Sequence, residues 1–471
     1  MLTKFPPGRL MSASEAALPL MVSILIFFAF FIGNRLSLGD ADIYWHLTTG
    51  QWIVDHRELP EVDIYSHSMA GRPWIAKEWL SQLLFAAAYR VGGWFGVAAI
   101  AGTAIAAAFG LLTCFLLARF SPPIALILAT SACSLATPQM MARPHVFAMP
   151  LLVVWTRFLI GASEKGNAPS LLLLPLMVLW VNIHGSFLFG LALIAPFALE
   201  AACNGEKPAR VLAHWVVFAL LALLCTFVTP YGPGTLLAAL SVLNLGGALS
   251  IVAEWRPQDF SAVSPFQMIL LSGIGFALFL GIKLPPLRIA LLLIMLHLAL
   301  SHQRHADLLG LCAPLLLAGP LGADRVRAAV NRPIMVSVVA IGLLTVAWAA
   351  TRQIEPSPRA TPRAAVELIK RLNAGPVLNY YDVGGYLIFS GVPTFIDGRT
   401  ELFGRDFVDR YNQAVSLQNF ADFTRVLDEY KIEVTLLRPD FPAVGLLDTL
   451  QNWKRIHSDS LAVVHLRTKT R

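Results

Sequence analysis

Charge is what this sequence has least of. Lys, Arg, Asp and Glu make up only 14% of its 471 residues, where a soluble chain carries roughly a quarter. Hydrophobic residues reach 56% and the mean hydropathy is +0.64. A water-soluble globular chain is excluded, and a polytopic membrane protein is the expectation. Cysteine is scarce too. Cys114, Cys133, Cys203, Cys225 and Cys312 are odd in number, lie in or beside apolar runs and show no metal-type spacing, so they read as small apolar core residues. No Walker loop, HExxH, CxxC or GxSxG on a strand–turn–helix occurs, which removes support for ATP-driven and zinc-protease chemistry. Internal repeats of fixed period and low-complexity tracts are missing as well. The surplus of positive charge, +7 with a pI near 9.3, reads as Lys and Arg on cytoplasmic turns rather than as a nucleic-acid surface.

What is present is a series of long apolar runs. Eleven have the length and composition of membrane helices, at 17–36, 94–119, 122–138, 146–162, 168–183, 186–203, 211–229, 263–282, 286–301, 306–321 and 334–351. The first ends in Asn34-Arg35 rather than at a small-residue cleavage site, so it reads as a retained helix. With Lys4 and Arg9 in the cytoplasm, the turns on that side hold Arg119, Lys165, Lys207 with Arg210, Lys283 with Arg288, and Arg325, Arg327 and Arg332. Each carries a cation, as the positive-inside rule requires. The other face then receives the loop 37–93, ARPH with Arg143 and His145, NIHGS with Asn182 and His184, the loop 230–262 with Glu254, Trp255 and Arg256, and SHQRH with His302, Arg304 and His305. Cytoplasmic turns look like topology signals, and outer turns look like a site.

The loop from Gly39 to Gln82 concentrates ionisable groups: Asp40, Asp42, Asp55, Glu58, Glu61, Asp63 and Glu78, with His46, His56 and His67. In a helical stretch Asp40 shares a face with Tyr44, and Asp42 with His46. A carboxylate at the mouth of a lipid-lined cavity is suited to act as a general base or to orient a metal. The plainer alternative is that these acids cap an interfacial helix over 42–54. Trp45, Trp52, Trp74 and Trp79 read most simply as an interfacial aromatic belt. On the outer turns, arginine pairs bidentately with phosphate and histidine donates to it, which suits a lipid phosphate or pyrophosphate; the alternative is contact with anionic headgroups. Asn182 and His184 lie between two apolar helices, where polar groups face a bundle interior.

After Arg352 the chain turns polar and mixed. PVLNYY, PTFIDGR, KIEVTLLR and LAVVHLRT read as strands, and DVGGYLIFSG and FADFTRVLDEY as helices, giving a small α/β domain with a partly parallel sheet. The expected division is a helical membrane domain over 1–352, carrying the outer loop, and an outer domain over 353–471. In FIDGRTELFG, Asp397, Arg399 and Glu401 make either a binding edge or, preferably, a corner with an internal ion pair.

Asp40-Ala-Asp42-Ile-Tyr44, an acid just beyond the first helix with an aromatic four residues on, resembles the GT-C glycosyltransferases. GDADIYWHLTTGQWI, ARPHVF, NIHGSFLFG and GGYLIF…FIDGRTELFG extend the resemblance, to a broad group of bacterial GT-C membrane proteins, over nearly the whole chain. It implies a mostly α fold, a membrane helix bundle with a small outer α/β domain. It also implies a polyprenyl-phosphate sugar or lipid-linked oligosaccharide as donor, a glycan, lipid or protein as acceptor, and transfer with inversion at the periplasmic face of a bacterial inner membrane. Carried across by position, Asp40 is the base and Asp42 a second acid, with Glu78 the third candidate. Ala41 stands where several members have Glu directly after the Asp, so the base stays open between Asp40 and Asp42. His46, Arg143, His145, His184, Glu254, Arg256, His302, Arg304 and His305 form the implied substrate-binding set. Oligosaccharyltransferase-type members bind a divalent cation and many others do not; no acids on two outer loops compel one here. The rivals are a transporter or flippase of a lipid-linked saccharide, and a non-catalytic membrane assembly subunit.

Overall fold

The computed structural model describes residues 13–32, 38–242, 245–246, 253–323 and 332–468. Lys4, Arg9, Arg325 and Arg327, and the side chain of Arg332, lie outside the described residues. The chain divides into two compact units. One holds Met1–Ser37, Ala98–Gly232 and Val252–Gln353; the other holds Leu38–Val97, Pro233–Ile251 and Ile354–Arg471. The first-loop residues therefore fold in the same unit as the polar tail.

The first unit is helical. Each of the eleven apolar runs contains helix, beginning with Ala13–Ile32 and ending with Arg332–Ala350. Among the described residues, five helices are long and apolar enough to cross a membrane by length and composition: Trp79–Leu117, His145–Glu164, Phe187–Asn204, Pro208–Cys225 and Pro333–Ala350. Local signals set their ends. In Pro265–Leu280 the Ser264 hydroxyl accepts from Gln267 N at 3.2 Å, Pro265 opens the first turn, and Gly281 closes it at φ 56°. Trp79–Leu117 bends at Gly92-Gly93, where Gly93 takes φ 55°. Large apolar side chains line the outside of several helices: Phe276, Leu278 and Phe279 on one, Val336, Leu343 and Leu344 on another, all more than half exposed. Apolar faces of that extent are costly in water and natural against lipid. This is a membrane protein.

Arg288 departs from the expectation of a cation marking a turn. It is only 2% exposed and donates to Glu200 Oε1 at 2.7 Å, Glu164 Oε1 at 3.0 Å and the Leu316 carbonyl at 2.9 Å. Arg119 donates to the other Glu164 oxygen at 2.9 Å. Two of the turn cations are thus internal partners of helix carboxylates, because ions in a bundle interior need paired charge.

The second unit is organised by a four-stranded mixed sheet, order β1-β2-β4-β3, with β1 Val377–Asn379, β2 Val434–Leu437, β3 Trp453–Ser458 and β4 Val463–Arg467. β1 and β2 run parallel; β2–β4 and β3–β4 are antiparallel. The central strands are buried on both faces. Val377, Val434, Leu436 and Val464 pack on one side with Val366, Ile369 and Leu387, whereas Leu378, Leu437 and Val463 pack on the other with Phe423, Val426 and Leu447. The helices Phe420–Glu429 and Gly384–Phe389 form where the pattern places them. PTFIDGR does not form a strand. Thr394 makes an isolated bridge to Ser66, and the chain then turns through buried Asp397 and Arg399. Internal ion pairing, rather than a ladder, occupies its polar groups.

Candidate functional site

Within the second unit, the helix Asp42–His56 carries the acids at its start. Asp40 lies just before it and accepts from the Asp42 backbone N–H at 2.7 Å, an Asx-type turn ahead of the N-cap position, which is Ala41. Asp42 opens the helix, half-buried, and its Oδ1 accepts from Trp45 Nε1 at 3.1 Å. Tyr44 points into the unit: its hydroxyl meets Thr361 Oγ1 at 2.8 Å and its ring packs on Tyr386 and Phe389. Burial pushes that phenol up to about 12, so it stays a neutral hydroxyl. His46 is buried, its Nε2 3.8 Å from Glu78 Oε2 and its Nδ1 3.4 Å from Gln82 Nε2. Asp42 and His46 thus stand one turn apart, and Glu78 belongs to the His46 cluster.

Two of the four first-loop tryptophans, Trp45 and Trp74, are buried rather than at an interface, whereas Trp52 and Trp79 are partly exposed. Trp45 and Trp74 are 6% and 4% exposed. Trp45 holds a carboxylate, and Trp74 lies under the Arg399 guanidinium at 4.8 Å. Arg399 is fully buried between two acids. It grips Asp397 with two bonds, at 2.8 and 2.7 Å, and reaches Asp63 Oδ1 at 2.6 Å. Burial alone would lower its pKa; Asp397 and Asp63 outweigh it and hold the guanidinium above its ordinary range. Lys77 pairs with Glu401, 324 residues away. The internal reading of Asp397, Arg399 and Glu401 is the one the geometry bears out, and its partners come from the first loop, which spacing alone did not reveal.

In the first unit the outer-turn residues gather around Glu254. Arg143 pairs with Glu254 Oε2, and Arg304 Nη1 lies 3.3 Å from Oε1. Burial alone would raise the Glu254 carboxyl; the Arg143 and Arg304 guanidiniums overcome it and bring it down to about 2. Arg304 also stacks 4.4 Å over Trp255. His302 Nδ1 meets the Trp255 carbonyl at 2.8 Å, and Gln303 N donates to the Arg256 carbonyl at 3.0 Å, tying segment 253–258 to segment 300–305. Arg256 itself is exposed. His305 packs against Trp255, His302 and Phe189; burial, then Arg304 and His302, lower its pKa to about 4. His145 Nε2 meets the Gln139 carbonyl at 2.7 Å and its ring lies 6.1 Å from that of His184, whose Nδ1 accepts from Ser186 N at 3.1 Å. Asn182 bonds the Val178 and Val228 carbonyls at 2.7 and 3.0 Å, a packing role. Two guanidiniums beside one carboxylate, partly exposed, are groups that suit an anion. Asp307, half-buried beside this cluster in sequence, was not singled out by spacing; its carboxylate accepts from Leu308 N at 2.6 Å and senses Arg304 and Glu254. Among the described residues, no three of His, Cys, Asp and Glu are grouped as metal ligands would be.

No family model matches the sequence, and no curated protein does either. Solved structures do. The oligosaccharyltransferase of Archaeoglobus fulgidus in its apo form superposes at a TM-score of 0.51, with 11% identity over 89% of this chain and 69% of that one. Its complex with an inhibitory peptide and a dolichol-phosphate gives 0.52, with 11% identity over 90% and 69%. The chain shares the fold of these oligosaccharyltransferase structures. ArnT from Cupriavidus metallidurans bound to undecaprenyl phosphate aligns over 98% of this chain and 99% of that one at 11% identity, but its TM-score of 0.35 is too low to argue from. At such identity the likeness concerns fold. In this chain Asp42 opens the first-loop helix with Asp40 just before it, and the guanidinium pair belongs to later turns.

Proposed function

We propose that this chain is an integral-membrane glycosyltransferase that takes its sugar from a polyprenyl-phosphate-linked donor. The observation that carries the reading is the pair of acids opening the first-loop helix in a chain of GT-C fold. In this reading Asp40 or Asp42 removes a proton from an acceptor hydroxyl or amine. The freed lone pair attacks the anomeric carbon, and the bond to the donor phosphate breaks, its electrons leaving with the lipid phosphate. Arg143 and Arg304, arranged about Glu254, neutralise that leaving group. His46, His145, His184, Arg256, His302 and His305 belong to the same substrate set, and Glu78 is the third acid. The neighbour's complex with dolichol-phosphate and a peptide supports a lipid carrier and an acceptor outside the lipid. Eleven crossings, a cytoplasmic N-terminus and a periplasmic tail at a bacterial inner membrane, with 1–352 as membrane domain and 353–471 as outer domain, complete the proposal.

The test uses Asp40→Asn and Asp42→Asn in the purified chain, with transfer from a polyprenyl-phosphate sugar as readout. At least one variant is expected to lose on the order of 10²–10⁴-fold in rate while keeping the wild-type melting profile. Full transfer by both refutes the assignment. Movement of a lipid-linked saccharide across liposomes lacking any acceptor would mark a transporter instead.

A further inference from the structure

The segment Asp397-Gly398-Arg399 carries an arrangement that its ion pairs alone do not explain. Arg399 and Asp397 are fully buried, and Arg399 is bound to Asp63. Thr394 Oγ1 donates to Asp397 at 2.8 Å, and Asp63 accepts from the Tyr65 and Ser66 backbone N–H groups at 3.1 Å. Every charged atom of this triad has a partner inside the second unit, so the backbone between positions 397 and 399 is fixed. Gly398 is the residue so fixed. A Cβ placed on it would overlap Asp42 Oδ1 and would stand 2.8 Å from Asp42 Cγ and 2.9 Å from Trp45 Nε1. Beside Gly398, the same carboxylate oxygen accepts the Trp45 indole N–H. A second close approach lies one residue earlier on the first loop, where a Cβ on Gly385 would overlap the Ala41 carbonyl. Gly385 belongs to the Gly384–Phe389 helix, which packs on Asp42–His56. Gly398 does not have a positive φ; glycine is required there by the approach of the carboxylate, not by backbone strain.

We propose that Gly398 and the Trp45 indole, side by side, form a seat that fixes the orientation of the Asp42 carboxylate, with the buried Asp63–Arg399–Asp397 triad keeping Gly398 in place. The tail is then part of the reacting unit rather than an appended binding module. The inference rests on the proposed glycosyl transfer and assigns the working carboxylate within it to Asp42. A base held within a narrow range of orientations transfers a proton efficiently, whereas one free to rotate loses much of that advantage. Gly398 and Trp45 act through Asp42, so they are positioning residues.

Four variants of the full chain test it: Gly398→Ala, Trp45→Phe, Asp42→Ala and Gly398→Ala combined with Asp42→Ala. Transfer from a polyprenyl-phosphate sugar gives kcat and donor KM, and thermal melts give stability. Gly398→Ala and Trp45→Phe are each expected to lower kcat at least tenfold with donor KM within twofold of wild type. Trp45→Phe adds no bulk, so it reads orientation even if Gly398→Ala folds poorly. Asp42→Ala removes the overlapping carboxylate and is expected to recover at least half of the melting-temperature loss of Gly398→Ala, without recovering transfer. The inference is overturned if either Gly398→Ala or Trp45→Phe keeps wild-type kcat, or if the melting loss of Gly398→Ala is the same with and without Asp42→Ala. No transfer by the wild-type chain sinks the glycosyltransferase reading and the catalytic role with it; the melting comparison then still reports whether the contact exists.

Discussion

The two units contain ion clusters that are mirror images in charge. In one, a single carboxylate, Glu254, is shared by the guanidiniums of Arg143 and Arg304. In the other, a single guanidinium, Arg399, is shared by Asp63 and Asp397, leaving one net negative charge. Their burial differs as much as their sign. The Arg399 triad is 0% exposed at all three side chains, whereas Glu254, Arg143 and Arg304 are 15%, 16% and 27% exposed. A sealed cluster with bidentate geometry and additional hydrogen bonds fixes one conformation of the chain. A cluster that water reaches is open to a ligand as well. Neither is judged by counting salt bridges, since breaking a buried pair and breaking an exposed one differ several-fold in cost.

The largest expected effect breaks the sealed cluster. Arg399→Met leaves Asp63 and Asp397 buried without a partner and is expected to destabilise the second unit by about 3–5 kcal/mol, seen as an early transition in a denaturant melt. A wild-type melt would show that the triad is dispensable. The open cluster is expected to respond in binding rather than in stability. Arg304→Gln should weaken a short-chain prenyl phosphate by about tenfold, a single charge-assisted contact being worth roughly 1.5–3 kcal/mol, while Glu254→Gln, which frees both guanidiniums, should tighten it. Titration calorimetry decides; unchanged affinity in both variants places the anion elsewhere. The smallest effect concerns His305. Its folded pKa of about 4 lies below the ordinary 6.5, so the folded state binds fewer protons than the unfolded one between those values. Stability is therefore full above about pH 6.5 and falls as pH drops towards 4. His305→Gln should flatten that slope in melts across the window, and an unaltered slope would assign it to other groups.

Much of the architecture was legible in the sequence, because composition and period are local. Each apolar run became helix, and the alternation in KIEVTLLR and LAVVHLRT gave strands with two buried faces. What spacing could not show was long-range partnership. Arg288 reads as a turn cation because Glu164 and Glu200 are distant in sequence, and Trp45 and Trp74 read as a belt because their hydrogen-bond and cation–π partners are not visible in a window. PTFIDGR has the composition of a strand, yet Arg399 is drawn out of any ladder by Asp63, 336 residues away. Gly398 gave no signal at all; a glycine after an aspartate reads as a turn. The acids and outer-turn arginines were legible as residue types, but their grouping around Glu254 was not.

Gly398 also bears on how this chain tolerates change. A single added methyl group at that position would press on Asp42 and on the indole of Trp45, so the carboxyl-terminal stretch is tied at this point to the first-loop acid. A truncation or graft that removes it takes away the contact against which the Asp42 carboxylate rests. The unit that holds that acid is assembled from three separate stretches of the chain, and it is complete only after the carboxyl-terminal stretch has been made.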